Sequence, residues 1–324
     1  MSYPELGFKT TAEEAADAFA NEIKGKNVLI TGTSVNGIGF EAARAIAKHA
    51  NLVVITGYNE ERLKLSEEAI KKDIPSANVR KLILDLNSLA AVRKAAAEVN
   101  AYSEPLHVLV NNAAAPLGPF ATTADGLETQ IGVGHVAAFL FTKLVTPKLL
   151  ASATADYTPR VVFIGSQAHM FGPGVVLDVI KPGLEGVPFP PHVSYFSVKS
   201  ANILTASELS RRAKGKLHAF SIHPGIIVTN FGTKSPAIPV MHAMGLVDEK
   251  GVPNTKDFEW KSIPQGAATT VTAAFDPRIA GQSGGYLNDN KVMTEMVAEH
   301  TASPDNAAKL WEVTETVIGE KYEF

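Results

Sequence analysis

The sequence predicts an α/β fold: a doubly wound parallel sheet of about seven strands with helices on both faces. Two observations lead to this prediction. Short runs of continuous apolar residues recur along the chain, and helix-length segments separate them. Continuous apolarity is typical of strands buried on both faces, as in a parallel sheet covered by helices. The predicted strands are centred on residues 28–30, 52–55, 79–84, 108–110, 161–164, 217–222 and 285–287.

The chain divides into a short extension and one large domain. Its 324 residues leave room for two domains of about 150 residues each, but no low-complexity tract offers a linker. Residues 10–24 have the pattern of an amphipathic helix, with Thr11 and Glu14 at the spacing of a capping box. We therefore predict an N-terminal helical extension over 1–24 and a single domain over 25–324.

Two segments interrupt the alternation of strands and helices. Residues near 171–193 are rich in glycine and proline, and residues near 230–264 mix prolines with methionines and aromatic side chains. Long irregular excursions in a compact domain are usually functional loops. We predict that both are lids over a site, although ordinary surface insertions have the same pattern.

Composition excludes several classes of function. Thirty basic against thirty-three acidic side chains give a formal net charge of −3, so there is no basic excess to neutralise nucleic-acid phosphates. Without cysteine there is no disulfide or thiolate zinc site, and the nine histidines lack metal-ligand spacing. No basic leader and no apolar window of about 18 residues is present. We expect a soluble cytoplasmic protein with no metal, no nucleic-acid partner and no membrane span.

The first chemical motif is a glycine-rich loop, residues 31–39, between a predicted strand and a predicted helix. Glycines let the backbone approach a pyrophosphate closely, and the helix N-terminus supplies unpaired N–H groups and a positive dipole end. The candidate cofactor contacts are Gly32, Ser34, Asn36, Gly37, Ile38 and Gly39. The alternative is a turn that needs glycine only for tight packing. In its βαβ setting the loop favours a dinucleotide site in a Rossmann-type domain.

The end of the second predicted strand bears on the choice between NAD(H) and NADP(H). Sites for an unphosphorylated ribose usually place an acidic residue about 20 residues after the glycines. Tyr58 and Asn59 occupy that point here, and Glu60 and Glu61 fit the first turn of a helix capped by Asn59. The missing carboxylate favours NADP(H). The expected arginine is also missing, since Arg62 comes late, and this leaves NAD(H) open.

The second motif pairs a phenol with an ammonium group. Tyr195 and Lys199 open a predicted helix, and a spacing of four residues places them on one face, one turn apart. A phenol is a poor base at neutral pH, but an adjacent ammonium group stabilises its phenolate. Such a pair can pass a proton to or from an alcohol oxygen. Taken alone, residues 195–199 fit a surface tyrosine and a solvated lysine better than a catalytic pair, since short motifs often match by chance.

Four motifs in this order resemble those of the short-chain dehydrogenase/reductase family. They are the glycine-rich loop, Asn111-Asn112-Ala113-Ala114 after the fourth predicted strand, Gly165-Ser166 after the fifth, and the Tyr195/Lys199 pair. The resemblance covers roughly residues 25–319. It is nearest to retinol-dehydrogenase-like members in the form found in filamentous-fungal reductases, which Leu310-Trp311 near the end also fits.

The resemblance implies roles for individual residues. Tyr195 is expected to donate or accept the proton, Lys199 to lower its pKa and hold the nicotinamide ribose, and Ser166 to stabilise the substrate oxygen. The remaining expected cofactor contacts are Tyr58, Asn59, Asp85, Leu86, Asn112, Ala113, Ala114, Pro224, Gly225, Ile227 and Thr229. The alternative for Asp85 is a solvated cap, and for Pro224-Gly225 a plain turn.

The sequence departs from the family pattern at three points. Four residues separate Gly32 from Gly37 where the pattern has three, and Ala114 replaces a usual glycine. Gly134 stands where the family has the asparagine of its catalytic tetrad. In the family, the main-chain carbonyl of that asparagine holds a relay water, and glycine keeps a carbonyl. The relay therefore either survives or is lost, and the neighbouring His135 is either a substitute or a packing residue.

We expect an NAD(P)(H)-dependent oxidoreductase that transfers a hydride between nicotinamide and the carbonyl or alcohol carbon of a hydrophobic or aromatic small molecule. The alternative is a catalytically weak NADP(H)-binding sensor or scaffold. A serine hydrolase is disfavoured because the sequence around Ser166 lacks the second glycine of a nucleophile elbow. The family often forms homo-oligomers through long helices. The expected lid side chains are Met170, Phe171, Val175, Val176, Leu177, Met241 and Met244.

Overall fold

A computed structural model describes residues 3–184, 190–228 and 237–324. Within them the strands are β1 (Asn27–Ile30), β2 (Leu52–Gly57), β3 (Val79–Ile83), β4 (Val108–Asn111), β5 (Arg160–Ile164), β6 (His218–His223), β7 (Ile226–Ile227), β8 (Trp260–Lys261), β9 (Tyr286–Asn288) and β10 (Lys291–Val292). The helices are α1 (Ala12–Ala18), α2 (Ala20–Ile23), α3 (Ile38–Ala47), α4 (Glu60–Asp73), α5 (Leu89–Ala101), α6 (Thr129–Ile131), α7 (Ala137–Leu150), α8 (Pro191–Ala213), α9 (Ile238–Ala243), α10 (Ile263–Phe275), α11 (Glu299–Ala302) and α12 (Pro304–Ile318).

Eight of these strands form one sheet in the order β10-β9-β6-β5-β4-β1-β2-β3. All neighbours are parallel except β10, which pairs antiparallel with β9 at the edge. The order reverses between β1 and β4, where a doubly wound sheet opens its ligand crevice. The predicted fold class is confirmed. The antiparallel β10 is an addition that its two-residue length hides from sequence patterns.

The core consists of two apolar layers, one on each face of the sheet. Leu29 belongs to the layer that includes α5, α7, α8 and α12, whereas Val28 and Ile30 belong to the layer with α1, α3 and α10. Alternate side chains of one strand thus face opposite layers, and both layers are buried. This explains why the strands inside the sheet are largely apolar along their length, whereas the edge strand β3 carries Arg80 and Lys81.

The N-terminal segment packs into the second layer. Thr11 and Glu14 form the predicted capping box, and α1 lies against α10 and α3. The single helix predicted over 10–24 is in fact two pieces, because the backbone leaves helical geometry at Phe19, where φ is −105° and ψ is 21°. The Phe19 side chain is fully buried. The break between α1 and α2 therefore coincides with the residue whose aromatic ring is buried in the core.

The two predicted excursions are irregular where they are described. In the first, Val175, Val176 and Leu177 pack against the core layer of α7 and α8. In the second, the chain forms α9 and returns as β8, which pairs with β7 directly after the β6 turn. Residues 185–189 and 229–236, including part of each predicted lid and Thr229, lie outside the described residues.

Two features of the described residues bear on membranes and metals. One helical run, Thr129–Leu150, is long and apolar enough to cross a membrane, but 67% of its most apolar 18-residue stretch is buried within this protein, as in the core helix of a globular protein. No group of three or more histidine, aspartate or glutamate side chains in the described part of the chain could hold a metal ion.

Candidate active site

The predicted site residues lie at the carboxyl ends of the parallel strands. Residues 31–39 follow β1, Tyr58 and Asn59 follow β2, Asp85 and Leu86 follow β3, Asn112 to Ala114 follow β4, Ser166 follows β5, and Pro224 and Gly225 follow β6. Parallel strands bring their carboxyl ends to one edge, so residues as far apart as 31 and 225 lie along the same edge.

The glycine-rich loop is fastened to the turn after β4. Asn112 Nδ2 donates to the carbonyl oxygens of Thr31 and Gly32 at 2.8 and 2.9 Å, and Thr31 Oγ1 accepts the N–H groups of Asn112 and Ala113. A Cβ on Gly32 would lie 2.8 Å from the Ala113 Cα, and one on Gly39 would lie 2.2 Å from Asn112 Nδ2. Both glycines are therefore required for packing between the two loops, whatever the loop binds.

The extra residue of this loop is taken up before α3. Asn36 adopts a left-handed conformation with φ +64°, and the Gly37 N–H donates to the Ser34 carbonyl at 3.1 Å. Asparagine tolerates this conformation better than most residues. Gly37 then caps α3, and the Ser34 and Asn36 side chains are exposed beside the helix N-terminus. The lengthened loop keeps polar groups where a phosphate would approach.

The ends of β2 and β3 have mostly local hydrogen bonds. Asn59 Oδ1 accepts the Arg62 N–H at 2.9 Å and caps α4, as predicted, with Glu60 and Glu61 in the first turn. Asp85 Oδ1 accepts the Asn87 N–H at 2.9 Å, a local contact in the turn before α5, whose cap is Ser88. Tyr58 is 68% exposed, so its ring is available to a ligand.

Ser166 and Tyr195 are joined by a hydrogen bond, and Lys199 lies near the tyrosine ring. Ser166 Oγ accepts the Ala168 N–H at 3.1 Å and hydrogen-bonds the Tyr195 phenol. Burial raises the pKa of Tyr195, and the Ser166 hydrogen bond opposes this. The structure therefore brings together the three predicted catalytic side chains of α8 and the β5 end.

Lys199 is the buried cation of this group. Its Nζ lies 5.4 Å from the centre of the Tyr195 ring and donates to the Ile164 carbonyl at 3.0 Å. Burial lowers the pKa of Lys199 to about 8. Asn202, one turn further along α8, donates its Nδ2 to the same carbonyl at 3.1 Å. The Ile164 carbonyl thus holds both side chains beneath the tyrosine.

Gly134 lies in a π-helical turn, Gly132–Val136, between α6 and α7. The helix is thus irregular at this position although the family's asparagine is absent. The Ala137 N–H donates to the Gly132 carbonyl, five residues back, as in a π-helix. A Cβ on Gly134 would lie 2.8 Å from Val198 Cγ1. Val198, on α8 between the tyrosine and the lysine, therefore fills the space that a larger side chain at 134 would need.

His135 is buried and its contacts, which lie with α12 and Phe139, favour the packing role. Its Nε2 lies 2.8 Å from Thr314 Oγ1 on α12, and its ring packs near Phe139. Thr314 already donates to the Leu310 carbonyl, so the imidazole donates to Thr314. Burial lowers the pKa of His135 to about 4. The side chain bonds to the C-terminal helix, away from Tyr195.

The segment after β6 is held from two sides. His223 Nδ1 accepts the Gln167 N–H at 3.3 Å, which joins this segment to the Ser166 turn. Gly225 has φ +97°, and a Cβ there would lie 2.6 Å from Lys261 Cδ. Lys261 Nζ lies 2.5 Å from Asp289 Oδ1 and above the Phe8 ring. Sequence patterns did not indicate Lys261.

Glu128 is another residue that sequence reasoning missed. Its carboxylate is buried at the start of α6, accepts the N–H groups of Gln130 and Ile131 at 3.0 Å each, and hydrogen-bonds Ser194. Ser194 directly precedes Tyr195, so this carboxylate connects the start of the kinked helix to α8. Burial raises the pKa of Glu128.

Gly266 on α10 lies against two isoleucines. A Cβ there would lie 2.0 Å from Ile227 Cδ1 and 3.4 Å from Ile38 Cγ2. The side chains of Ile38, after the glycine-rich loop, and Ile227, after β6, therefore both approach this glycine.

Comparison with known proteins gives the family. The family model described as short chain dehydrogenase matches residues 26–177. The chloroplastic short-chain dehydrogenase TIC 32 B of Brassica napus is 32% identical over 94% of this chain and 92% of its own, and retinol dehydrogenase 12 of Mus musculus is 31% identical over 93% and 89%. The short-chain dehydrogenase/reductase prx1 of Penicillium roqueforti is 33% identical over 91% and 85%.

A solved structure agrees with the fold. A protein of Mycobacterium paratuberculosis superposes with a TM-score of 0.68 at 25% identity, over 94% of this chain and 98% of its own. Its similarity therefore extends over the sheet and the helices of both faces. With a glycine-rich loop, a Ser166–Tyr195–Lys199 group and relatives above 30% identity along almost its whole length, the chain belongs to the short-chain dehydrogenase/reductase family and is an oxidoreductase that uses a nicotinamide cofactor.

Proposed function

We propose that this chain interconverts carbonyl and alcohol groups on hydrophobic or aromatic small molecules. The observation that supports this is the hydrogen bond between Ser166 and Tyr195, with Lys199 one helical turn away. Tyr195 gives its proton to the carbonyl oxygen, Ser166 holds that oxygen as charge develops, and Lys199 stabilises the phenolate that remains. A bound nicotinamide supplies the hydride.

The residues present fit a dinucleotide. α3 begins at Gly37 without a side-chain cap, whereas Asn59, Ser88 and Ser262 cap α4, α5 and α10. An uncapped helix N-terminus that follows a glycine-rich loop suits a phosphate group. Lys199 is placed to hold a ribose hydroxyl as well as to support Tyr195.

NADP(H) is our proposal for the preferred nucleotide. No carboxylate follows β2 directly: the first acids, Glu60 and Glu61, lie in the first turn of α4 behind the Asn59 cap. The side chain at the strand end is the exposed Tyr58, which carries no charge to repel a 2′-phosphate. The ratio of kcat/KM for NADPH and NADH tests this, and a ratio below one would refute it.

The substrate class follows from the surface beside the catalytic group. Met170 and Phe171, which follow Ser166 by one turn, are 50% and 56% exposed. The Phe171 ring lies 5.5 Å from that of Phe196, the neighbour of Tyr195. Exposed apolar side chains next to a reactive group favour an apolar ligand. Val175, Val176 and Leu177 are partly buried and pack against the core layer of α7 and α8.

The test is oxidation of NADPH and NADH in the presence of hydrophobic aldehydes and aromatic ketones. Tyr195→Phe removes one hydroxyl and should lower kcat by about 10²–10⁴ while NADPH binding persists. Tyr102→Phe is the matched control, since its hydroxyl contacts Glu98 at the end of α5 and should be irrelevant to turnover. NADPH binding without turnover of any substrate would refute the proposal and favour a cofactor-binding sensor or scaffold.

A further inference from the structure

His169 is a buried histidine whose two ring nitrogens both face main-chain groups. It lies in the short helical turn after β5, three residues beyond Ser166, and is fully buried. Nδ1 lies 2.6 Å from the Ser166 carbonyl oxygen, and Nε2 lies 3.2 Å from the Ala298 nitrogen. A carbonyl only accepts and a main-chain N–H only donates. The ring is therefore the neutral tautomer with its proton on Nδ1.

This tautomer is consistent with the surroundings of the ring. Burial lowers the pKa of His169, main-chain hydrogen-bond contacts with Ser166 and Met296 raise it to a smaller extent, and the nearby His300 lowers it. The ring packs edge-on against Tyr286, at 5.3 Å between centres. With both nitrogens engaged, His169 has no lone pair to offer a substrate, so it is not a proton-transfer group.

The Ser166 carbonyl receives two hydrogen bonds from His169. One comes from Nδ1 and the other from the main-chain N–H, at 3.1 Å. The His169 carbonyl in turn accepts His300 Nε2 at 3.0 Å and Ser200 Oγ at 3.4 Å. Ser200 directly follows Lys199 on α8. His169 thus connects the Ser166 peptide to the catalytic helix and to the segment 298–300 from the C-terminal part of the chain.

We infer that His169 is a positioning residue: its Nδ1–H fixes the Ser166 peptide, and the Ala298 N–H fixes the ring that does so. Ser166 sits at an extended φ of −171° and ψ of 155°, and its Oγ must meet both the Ala168 N–H and the Tyr195 phenol. Rotation of the Ser166–Gln167 peptide would move this turn and misalign Oγ. This inference rests on the reductase function proposed above.

Two substitutions separate positioning from stability. In His169→Asn, the amide Nδ2 falls close to the place of Nδ1 and can still donate to Ser166. In His169→Gln, the amide reaches towards the place of Nε2 and the Ser166 bond is lost. Asparagine leaves the larger void beside Tyr286, so it should be the less stable of the two. It should nevertheless be the more active, because it keeps the bond to Ser166.

The kinetic experiment compares kcat, KM and thermal stability for the wild type and both variants. We expect His169→Gln to lower kcat by about a hundredfold with little change in the Kd for NADPH, and His169→Asn to recover most of that loss. Activities that follow the order of stability would overturn the inference, because they would show a purely structural role. Activity absent from the wild type would refute the proposed function instead.

A second measurement is independent of turnover. In protein labelled with ¹⁵N-histidine, the two ring nitrogens of a neutral imidazole differ widely in chemical shift, and His169→Gln assigns the signal. We expect a protonated Nδ1 at neutral pH. The Ala298→Pro variant removes the N–H that donates to Nε2 and should therefore shift the Nε2 resonance. Proline fits this position because the φ of Ala298 is −59°. A protonated Nε2 with a bare Nδ1 would overturn the inference, whatever the substrate.

Discussion

Replacing Gly134 by asparagine should damage this protein rather than repair its tetrad. The new Cβ would lie 2.8 Å from Val198 Cγ1, closer than side chains normally approach. Val198 is buried, and a β-branched side chain in a helix has little rotamer freedom with which to yield. Forcing extra atoms into a packed core costs about 1–3 kcal/mol, and the better helix propensity of asparagine returns only a few tenths.

The same clash should lower turnover. Val198 lies on α8 between Tyr195 and Lys199, so any shift that relieves it moves the catalytic pair. A displacement of about 1 Å can cost a hundredfold in kcat. Val198→Ala removes both γ-methyl groups and opens the space that asparagine needs. The double variant should therefore be more stable and more active than Gly134→Asn alone.

The assay is a double-mutant cycle on the wild type, the two single variants and the double variant. The free energy of unfolding from denaturant titration and kcat are measured for each. We expect a favourable coupling free energy of about 1 kcal/mol or more, and a double-variant kcat no higher than that of the wild type, since the π-helical turn already exists. Additive effects, or a tenfold rise in kcat for Gly134→Asn alone, would refute this packing argument.

Three further predictions use simpler variants. Reductase kcat/KM should fall as the pH rises above about 8. Burial lowers the pKa of Lys199 to about 8, and a neutral lysine no longer stabilises the Tyr195 phenolate. A pH profile that stays flat to pH 10 would contradict this. Tyr322→Ala should lower the free energy of unfolding by about 3–5 kcal/mol, because the ring is buried. Tyr322→Phe should lower it by about 1 kcal/mol, because only the hydroxyl that lies 2.5 Å from Thr146 Oγ1 is lost. The kcat of both folded variants should be unchanged, and a loss of kcat would show that the C-terminal tail also shapes the site. His135→Leu should lower stability by about 1 kcal/mol through the lost Thr314 bond and leave kcat unchanged, and a large fall in kcat would restore the relay role.

Much of the fold was predictable because the sheet is buried on both faces. Most strands then carry a continuous apolar run that needs no partner to be recognised, and the polar residues after each run mark the active edge. The exception is β3 at the edge of the sheet, which contains Arg80 and Lys81. The pairing of β7 with β8 was not predictable, because two residues carry no periodicity. The apolar run Val175–Leu177 is predicted to belong to a lid, and in the structure it packs against the core layer, because hydrophobicity alone does not distinguish a pocket wall from a core contact.

The supporting residues of the site were hidden for a different reason. Gly134 meets Val198, and His169 meets Ala298, across more than 60 and 120 positions of sequence. No single residue in either pair is unusual. These residues matter because of distances between helices and strands that are defined only in the folded protein. Motif spacing therefore identifies the residues that carry out chemistry and misses the residues that position them.

The packing of α1 on α10 sets the order in which the newly made chain can fold. These helices are about 250 residues apart. At synthesis rates of about 5–20 residues per second, α1 is made tens of seconds before α10, whereas its other neighbour, α3, follows within about 20 residues. A seven-residue helix has little stability alone, even with a capping box. The packing of this first segment is therefore completed only late in synthesis, after residues 263–275 have been made.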